Sequence, residues 1–433
     1  MYRYIYKNLH QWKEQKSRKV LLIRGARQVG KTYVVRELGK SFEHFIEINL
    51  EEDENVRLLF ERNIGVVELC NALAAYYGTS IQAGKTLLFI DEIQVSVKAI
   101  SMLRFFKERM PDLHVVAAGS LLEFALEELP SFGVGRIQSF FMYPMSFDEY
   151  LIANGNSILL ENKQNASPKF PLNNLLHQKL VEELRTFMLI GGMPEVVKTY
   201  IDTHDFILAQ TQLNSLTVSL QDDFVKYKKR VPASRISDVL DAALHQAGRK
   251  FTYSKAEVPA VQPQIKESLL LLQKAGLLHP VYHTSANGLP LGAEKNINRF
   301  KLLPYDTGIY LRMLNFPLST LVTANNTNLV NKGAIAEIFA GLEMLKYADP
   351  TEPRQLYYWH REQRNSSAEI DYIIQQQTDI LPVEVKAGII GKMKSLFLFL
   401  EEKRSVKGIR ISLENFSSYK IIDTYPLYAV SSL

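Results

Sequence analysis

The stretch "KVLLIRGARQVGKTYVVRELGK" constrains this chain more than any other. An apolar, β-branched run of strand type leads into a glycine-containing turn, and a helical pattern begins at once after it. Within it Gly25 to Thr32, "GARQVGKT", fits G-x-x-x-x-G-K-[ST] in the strand–loop–helix setting that makes the pattern informative. Gly25 and Gly30 permit a backbone whose amide N–H groups converge on phosphate oxygens. The following helix start adds its positive end. The expected ligand is ATP with Mg²⁺. Its contacts are expected from Gly25, Ala26, Arg27, Gln28, Val29, Gly30, Lys31, Thr32 and Tyr33, with Lys31 on the β- and γ-phosphates and Thr32 on the metal.

Three further apolar runs, "FEHFIEINLE", "TLLFIDEIQ" and "LHVVAAGSLLEF", alternate with helical segments, which predicts a parallel sheet covered on both faces. "LLFIDE" delivers Asp91 and Glu92 at a strand's carboxyl end, the edge where open α/β sheets bind ligands. Asp91 is expected to hold Mg²⁺ through water and Glu92 to polarise the attacking water. Ser120, ending "VVAAGS", is either a γ-phosphate contact or a turn cap. Arg24 and Arg27 flank the loop, to touch phosphate or to neutralise Glu92 and Asp91.

Residues 1 to about 150 resemble an AAA-type P-loop ATPase through "RGARQVGKT", "LLFIDEIQ", "AAGSLLEF" and "GRIQSFFMYPMSFDEYL". The resemblance implies that Arg136 is an arginine finger, acting in cis or from a neighbouring subunit; the alternative is an arginine paired with surface acids. In the same family the ATPase is fused to a C-terminal region resembling the PD-(D/E)XK nuclease fold. Here "GGMPEVV", "KLLPYDTGIY", "GAIAEIFAGLEML", "LYYWHREQ" and "AEIDYIIQQQTDILPVEVKAG" carry that likeness.

The last stretch also has its own chemistry. Glu384 and Lys386 lie two apart on a strand and share a face. A hairpin through "QQQTD" would bring Asp371 alongside, and Glu337 lies on the preceding helix. Asp371, Glu384 and Glu337 are a candidate Mg²⁺ set, with Lys386 positioning water for phosphodiester hydrolysis. The alternative is a solvated ion pair in a nuclease-like fold that binds and does not cut.

At 433 residues, 46% hydrophobic and 22% charged, several domains are expected. The division read here is an ATPase domain over 1–152, a helical and winged-helix region over 175–330, and a nuclease-like α/β domain over 331–433. The Asn-, Ser- and Pro-rich "ANGNSILLENKQNASPKFPLNN" reads as an exposed linker. "ISDVLDAALHQAG", "TYSKAEVPAV", "QPQIKESLLLLQKAGLL" and "HPVYHTSANGLPL" follow the helix–helix–helix–ribbon order of a winged helix. Lys266 and Lys274 on its third helix, and the run Lys226–Arg230, are candidate DNA contacts; protein packing is the alternative. The net charge of +5 permits a nucleic-acid partner without demanding one. A single cysteine, Cys70, in an amphipathic helical pattern reads as a core thiol in a reducing compartment. No apolar run is long enough to span a bilayer, so a cytoplasmic protein without a membrane partner is expected, with homo-oligomers and a protein partner both compatible. His279, His283 and His360 lack metal-ligand spacing.

Overall fold

The computed structural model describes residues 1–127, 135–227, 231–316, 333–361, 368–387 and 393–433. They form two compact units. The first holds Met1–Tyr143 together with Lys274–Gly276 and Asp349–Pro353; the second holds the rest.

The first unit is built on five parallel strands: β1 (Val20–Arg24), β2 (His44–Asn49), β3 (Thr86–Asp91), β4 (His114–Ala118) and β5 (Ile137–Phe141). Their order is β2-β3-β4-β1-β5. The central strands β3 and β4 are buried at every position, while the edge strands β2 and β5 are only half-buried. Burial on both faces is what makes "TLLFID" and "HVVAA" near-continuous apolar runs. Leu22, Ile48, Leu88, Ile90, Val115 and Ala117 pack with helix residues such as Leu69, Leu73, Leu103 and Phe106 into one core. At about 1.5–3 kcal/mol for each large apolar side chain fully removed from water, that core is the main force holding the layers together. Cys70 belongs to it, and burial pushes its thiol up to about 12.

The second unit carries an eight-stranded mixed sheet: β6 (Leu278–Thr284), β7 (Lys295–Pro304), β8 (Leu356–His360), β9 (Glu369–Gln376), β10 (Asp379–Val385), β11 (Gly408–Ser412), β12 (Ser417–Tyr419) and β13 (Ile422–Pro426). The order is β12-β13-β11-β10-β9-β8-β6-β7. The helix Ala233–His245, the 3₁₀ turn Tyr253–Lys255, the helix Gln262–Lys274 and the β6–β7 ribbon follow the expected order. The ribbon does not stand alone, because β6 also pairs in parallel with β8. The regions read as 175–330 and 331–433 therefore share one sheet.

The linker expected from Ala153 to Asn174 is corrected. Ser157–Asn165 is a helix whose Leu159, Leu160 and Lys163 are buried. Lys163 Nζ is 2.8 Å from Asp148 Oδ1 and donates to Ser431 Oγ at 2.6 Å. A Leu-Leu-x-x-Lys stripe supplies one helical face, and the polar residues around it hid that face in a compositional reading.

"GGMP" and "PYDTGIY" meet in the same unit. Buried Asp306 caps the helix Thr307–Met313 by accepting from Ile309 N at 3.0 Å, and it accepts from Gly192 N at 2.6 Å. These motifs serve the fold.

Candidate functional site

Because β1, β3 and β4 are parallel, their carboxyl ends reach one edge of the first sheet, and the residues beyond those ends converge there. The loop after β1 has positive φ at Gly25 (146°), Gln28 (61°) and Gly30 (94°). A side chain at Gly25 would put its Cβ 2.1 Å from Met142 O, so the loop can follow this path only with glycine there. Arg3 braces the loop from outside the motif, donating to Val29 O at 2.7 Å and Tyr143 O at 2.6 Å. Tyr33 is exposed, and its hydroxyl accepts from the Met1 amino group at 2.6 Å.

Lys31 is buried in the loop, donating to Ala26 O at 2.8 Å and Gly25 O at 3.1 Å. Burial pulls its ammonium down to about 8 against the attraction of Glu92 and Asp91, and nearby Arg27 lowers it further. Thr32 Oγ1 donates to Asp91 Oδ2 at 2.6 Å, joining the loop to the acidic end of β3. Burial raises Asp91, while Thr32 and the Glu92 amide offset part of that cost.

Glu92 has a left-handed backbone, φ 48°, an unfavourable conformation for a non-glycine residue and one that clusters at functional sites. Its Oε2 accepts from Gln94 Nε2 at 2.5 Å and from Ser120 Oγ at 3.4 Å. The two carboxylates, Ser120, the lysine and the loop are thus one site. This donor set fits a Mg-nucleotide: a glycine-bearing loop with a buried ammonium at a helix start, and a hydroxyl–carboxylate pair for a hard cation.

Arg24 is placed differently from expectation, and Arg136 takes the surface-acid pairing given as its alternative. Arg24 neither reaches toward phosphate nor neutralises Asp91 or Glu92; its Nε donates to Glu123 Oε1 at 2.7 Å and it lies 4.9 Å over the Phe141 ring. Arg136 precedes β5, and its carbonyl accepts from Val20 N at 3.2 Å, at the amino end of β1. The five residues of β1 separate it from the loop, about 16 Å at a strand's rise of ~3.3 Å per residue. Its side chain pairs with Glu108 at 3.1 Å, both half-exposed. The finger role in cis is therefore corrected, because a residue just before a parallel strand lies at the edge opposite the nucleotide loop.

In the second unit the β9–β10 hairpin forms as expected, with Asp379 opposite Gln376 and Val383 opposite Tyr372. Asp371 Oδ2 accepts from Val385 N at 2.8 Å, and Lys386 Nζ is 2.5 Å from Glu384 Oε1. Burial raises both Glu384 and Asp371. Lys301 of β7 was not foreseen. Its buried ammonium is 2.7 Å from Glu337 Oε1, pairs with Glu369 Oε1 and lies 3.9 Å from Asp371 Oδ1. Among the described residues no group of three or more His, Cys, Asp or Glu side chains is placed to hold a metal ion. Glu384 Oε2 is buried without a hydrogen bond, and the Lys301 and Lys386 ammonium groups stand among the other carboxylate oxygens. The expected Mg²⁺ set of Glu337, Asp371 and Glu384 does not fit a divalent ion as arranged, and no cleavage step is derived from it.

Sequence reasoning missed Arg3, Gln94, Lys301 and Glu369. Lys301 carried a signal, a lone charge inside the apolar run "FKLLP". Of the candidate DNA contacts, Lys266 is exposed, Lys274 pairs with Glu127, and Lys226 lies 3.7 Å from Asp223. Residues 228–230 of the basic run lie outside the described residues. No helix among the described residues is long and apolar enough to cross a membrane.

Residues 17–151 match the family model described as an AAA domain, and with the loop, Asp91 and Glu92 in place the N-terminal part of the chain is an AAA-type P-loop ATPase domain. Residues 181–320 and 332–429 match two models described only as domains of unknown function, DUF8612 and DUF4143. Among solved structures the chain is similar to a Walker-type ATPase of Pyrococcus abyssi, at 16% identity over 71% of this chain and 94% of that one, with a TM-score of 0.47. It is also similar to the ORC1 protein of Aeropyrum pernix, solved in complex with DNA, at 12% identity over 75% and 95% with a TM-score of 0.30. No curated protein matches the chain.

Proposed function

We propose that this protein is a Mg-ATP-dependent ATPase whose nucleotide state is passed to a C-terminal nucleic-acid-binding module. The observation that supports the ATPase reading most is the 2.6 Å bond from Thr32 to Asp91, which sets the loop hydroxyl beside the acidic strand end. Bound Mg-ATP supplies the phosphoanhydride bond and the metal's polarising charge. The amides of Gly25 to Thr32 and the Lys31 ammonium bind phosphate oxygens, and Thr32 and Asp91 hold the metal. Glu92 accepts the proton of the attacking water, held in place by Gln94 and Ser120. Arg136 serves the nucleotide of a neighbouring copy in a homo-oligomer.

The winged-helix order of residues 233–304, with Lys266 exposed, favours nucleic acid as the partner. The engagement of Lys274 and Lys226 by acids favours a second reading, a nucleotide-switched module that binds protein.

The test is ATP turnover by the full chain, alone and with duplex, single-stranded and branched DNA. DNA binding to Glu92→Gln is then followed by fluorescence anisotropy in ATP and in ADP. Turnover lost in Glu92→Gln, with DNA affinity that differs between nucleotides, is the expected result. Absence of turnover in the unaltered protein defeats the ATPase reading. Turnover without any DNA binding selects the protein-partner reading.

A further inference from the structure

We propose that Lys301 is a resident cation standing where a divalent metal would sit, which makes the Glu337–Glu369–Asp371 centre an ion-pair lock and not a hydrolytic metal site. This inference is independent of the ATPase reading.

Lys301 lies in β7, in the part of the strand that is buried throughout, and is only 1% exposed. A lysine so placed must be neutral or compensated, because an uncompensated buried ammonium costs several kcal/mol. Compensation comes from three carboxylates on two elements: Glu337 on the helix Gly333–Lys346, and Glu369 and Asp371 on β9. The Tyr358 ring of β8 adds its face, 5.2 Å from the ammonium. Burial alone would lower the Lys301 pKa, yet the three carboxylates outweigh it and hold the group above an ordinary lysine. The ammonium therefore carries its charge in the middle of the acidic set.

Two observations extend the point from Lys301 to the whole set. The second oxygen of Asp371 is taken by the Val385 amide, and Glu384 faces Lys386. A hard divalent ion requires several carboxylate and water oxygens free to turn toward it at once. Here two ammonium groups, Lys301 and Lys386, and one backbone amide already engage one oxygen each of Glu337, Glu369 and Glu384 and both oxygens of Asp371. The same contacts join β7, β9 and the helix Gly333–Lys346, so the lock has a structural return.

The experiment titrates Mn²⁺ into the full chain without nucleotide, followed by electron paramagnetic resonance of the free ion. Metal is counted for this centre only where Asp371→Asn abolishes it, which removes any ion held elsewhere. The unaltered protein is expected to show no such binding up to millimolar Mn²⁺. Lys301→Met, which vacates the position with a similar side-chain length, is expected to gain a site at least tenfold tighter. Lys301→Arg, which keeps the charge, is expected to bind none. If Lys301→Met fails to fold, Lys301→Met combined with Glu369→Gln removes one unpaired charge and serves in its place. An Asp371-dependent Mn²⁺ site in the unaltered protein overturns the proposal. So does a folded Lys301→Met protein, single or combined, that gains no site.

Discussion

Replacing Gly25 by alanine strikes the nucleotide loop where its path is tightest. The new Cβ would stand 2.1 Å from Met142 O, whereas real Cβ contacts essentially never fall under 3.0 Å, so one of the two must recede by about 0.9 Å. Met142 has little room to give, because its own amide donates to Arg24 O at 2.8 Å, extending the β1–β5 pairing. Gly25 also has φ 146°, outside the regions open to an L side chain. Holding alanine there costs about 1–3 kcal/mol in backbone strain, and forcing the overlap open costs about 1–3 kcal/mol more, as overpacking does. The sum is a large part of the 5–15 kcal/mol that typically stabilises a domain. It falls on the loop that must present amides to phosphate. Gly25→Ala should lower the melting temperature of the ATPase unit by roughly 5–20 °C, taking ~2–4 °C per kcal/mol for a unit of this size. It should also weaken Mg-ATP binding at least tenfold. Thermal melts with and without Mg-ATP, together with calorimetric titration, read both effects. A Gly25→Ala protein that melts and binds nucleotide as the parent does would refute the reasoning from close approach.

Three further outcomes are expected. Asp306→Ala leaves the buried Gly192 and Ile309 amides without their acceptor. At about 1–3 kcal/mol for each orphaned group, urea unfolding of the second unit should shift down by several kcal/mol, with Asp306→Asn intermediate. His114 packs against Trp12 and Phe42, and burial pulls its pKa to about 4. Since the unfolded chain takes up this proton below about 6.5 and the folded one only near 4, the ATPase unit should lose stability as pH falls through that window. His114→Phe should remove that component, and equal slopes in both proteins would count against it. Finally, mixing Arg136→Ala with Lys31→Ala should restore ATP turnover if Arg136 serves a neighbouring copy; no rescue over a range of protein concentrations argues that its role is the Glu108 pair.

The ATPase half was legible where burial wrote itself as apolar runs. β1, β3 and β4 are near-continuous hydrophobic stretches because the sheet is covered on both faces there. β5 was not seen as a strand, since "IQSFF" at the edge is only half-buried. That omission also hid the position of Arg136. Once β5 is known to be parallel to β1, a residue just before it must lie opposite the nucleotide loop. The convergence of Asp91, Glu92 and Ser120 on the loop followed from strand direction alone. Residues that support the site from outside the motif did not show, because Arg3 reaches Val29 and Tyr143 across the fold. In the second half, the hairpin and its carboxylates could be read from period and spacing, but the partner of those carboxylates could not. Lys301 comes from a strand three positions away in the sheet, and only the topology brings it to Asp371. The helix Ser157–Asn165 was obscured by composition, although its buried stripe is present in the sequence.

The most direct measurement is calorimetric titration of Mg-ATP into the full chain, into Lys31→Ala and into Glu92→Gln. Lys31 is the buried ammonium at the centre of the loop, whereas the proposed role of Glu92 is toward water and not phosphate. The parent and Glu92→Gln should bind with similar affinity, with turnover falling about 10²–10⁴-fold in the latter. Lys31→Ala should show no binding at the same concentrations. Unchanged Mg-ATP affinity in Lys31→Ala would contradict the assignment of this loop as the nucleotide site.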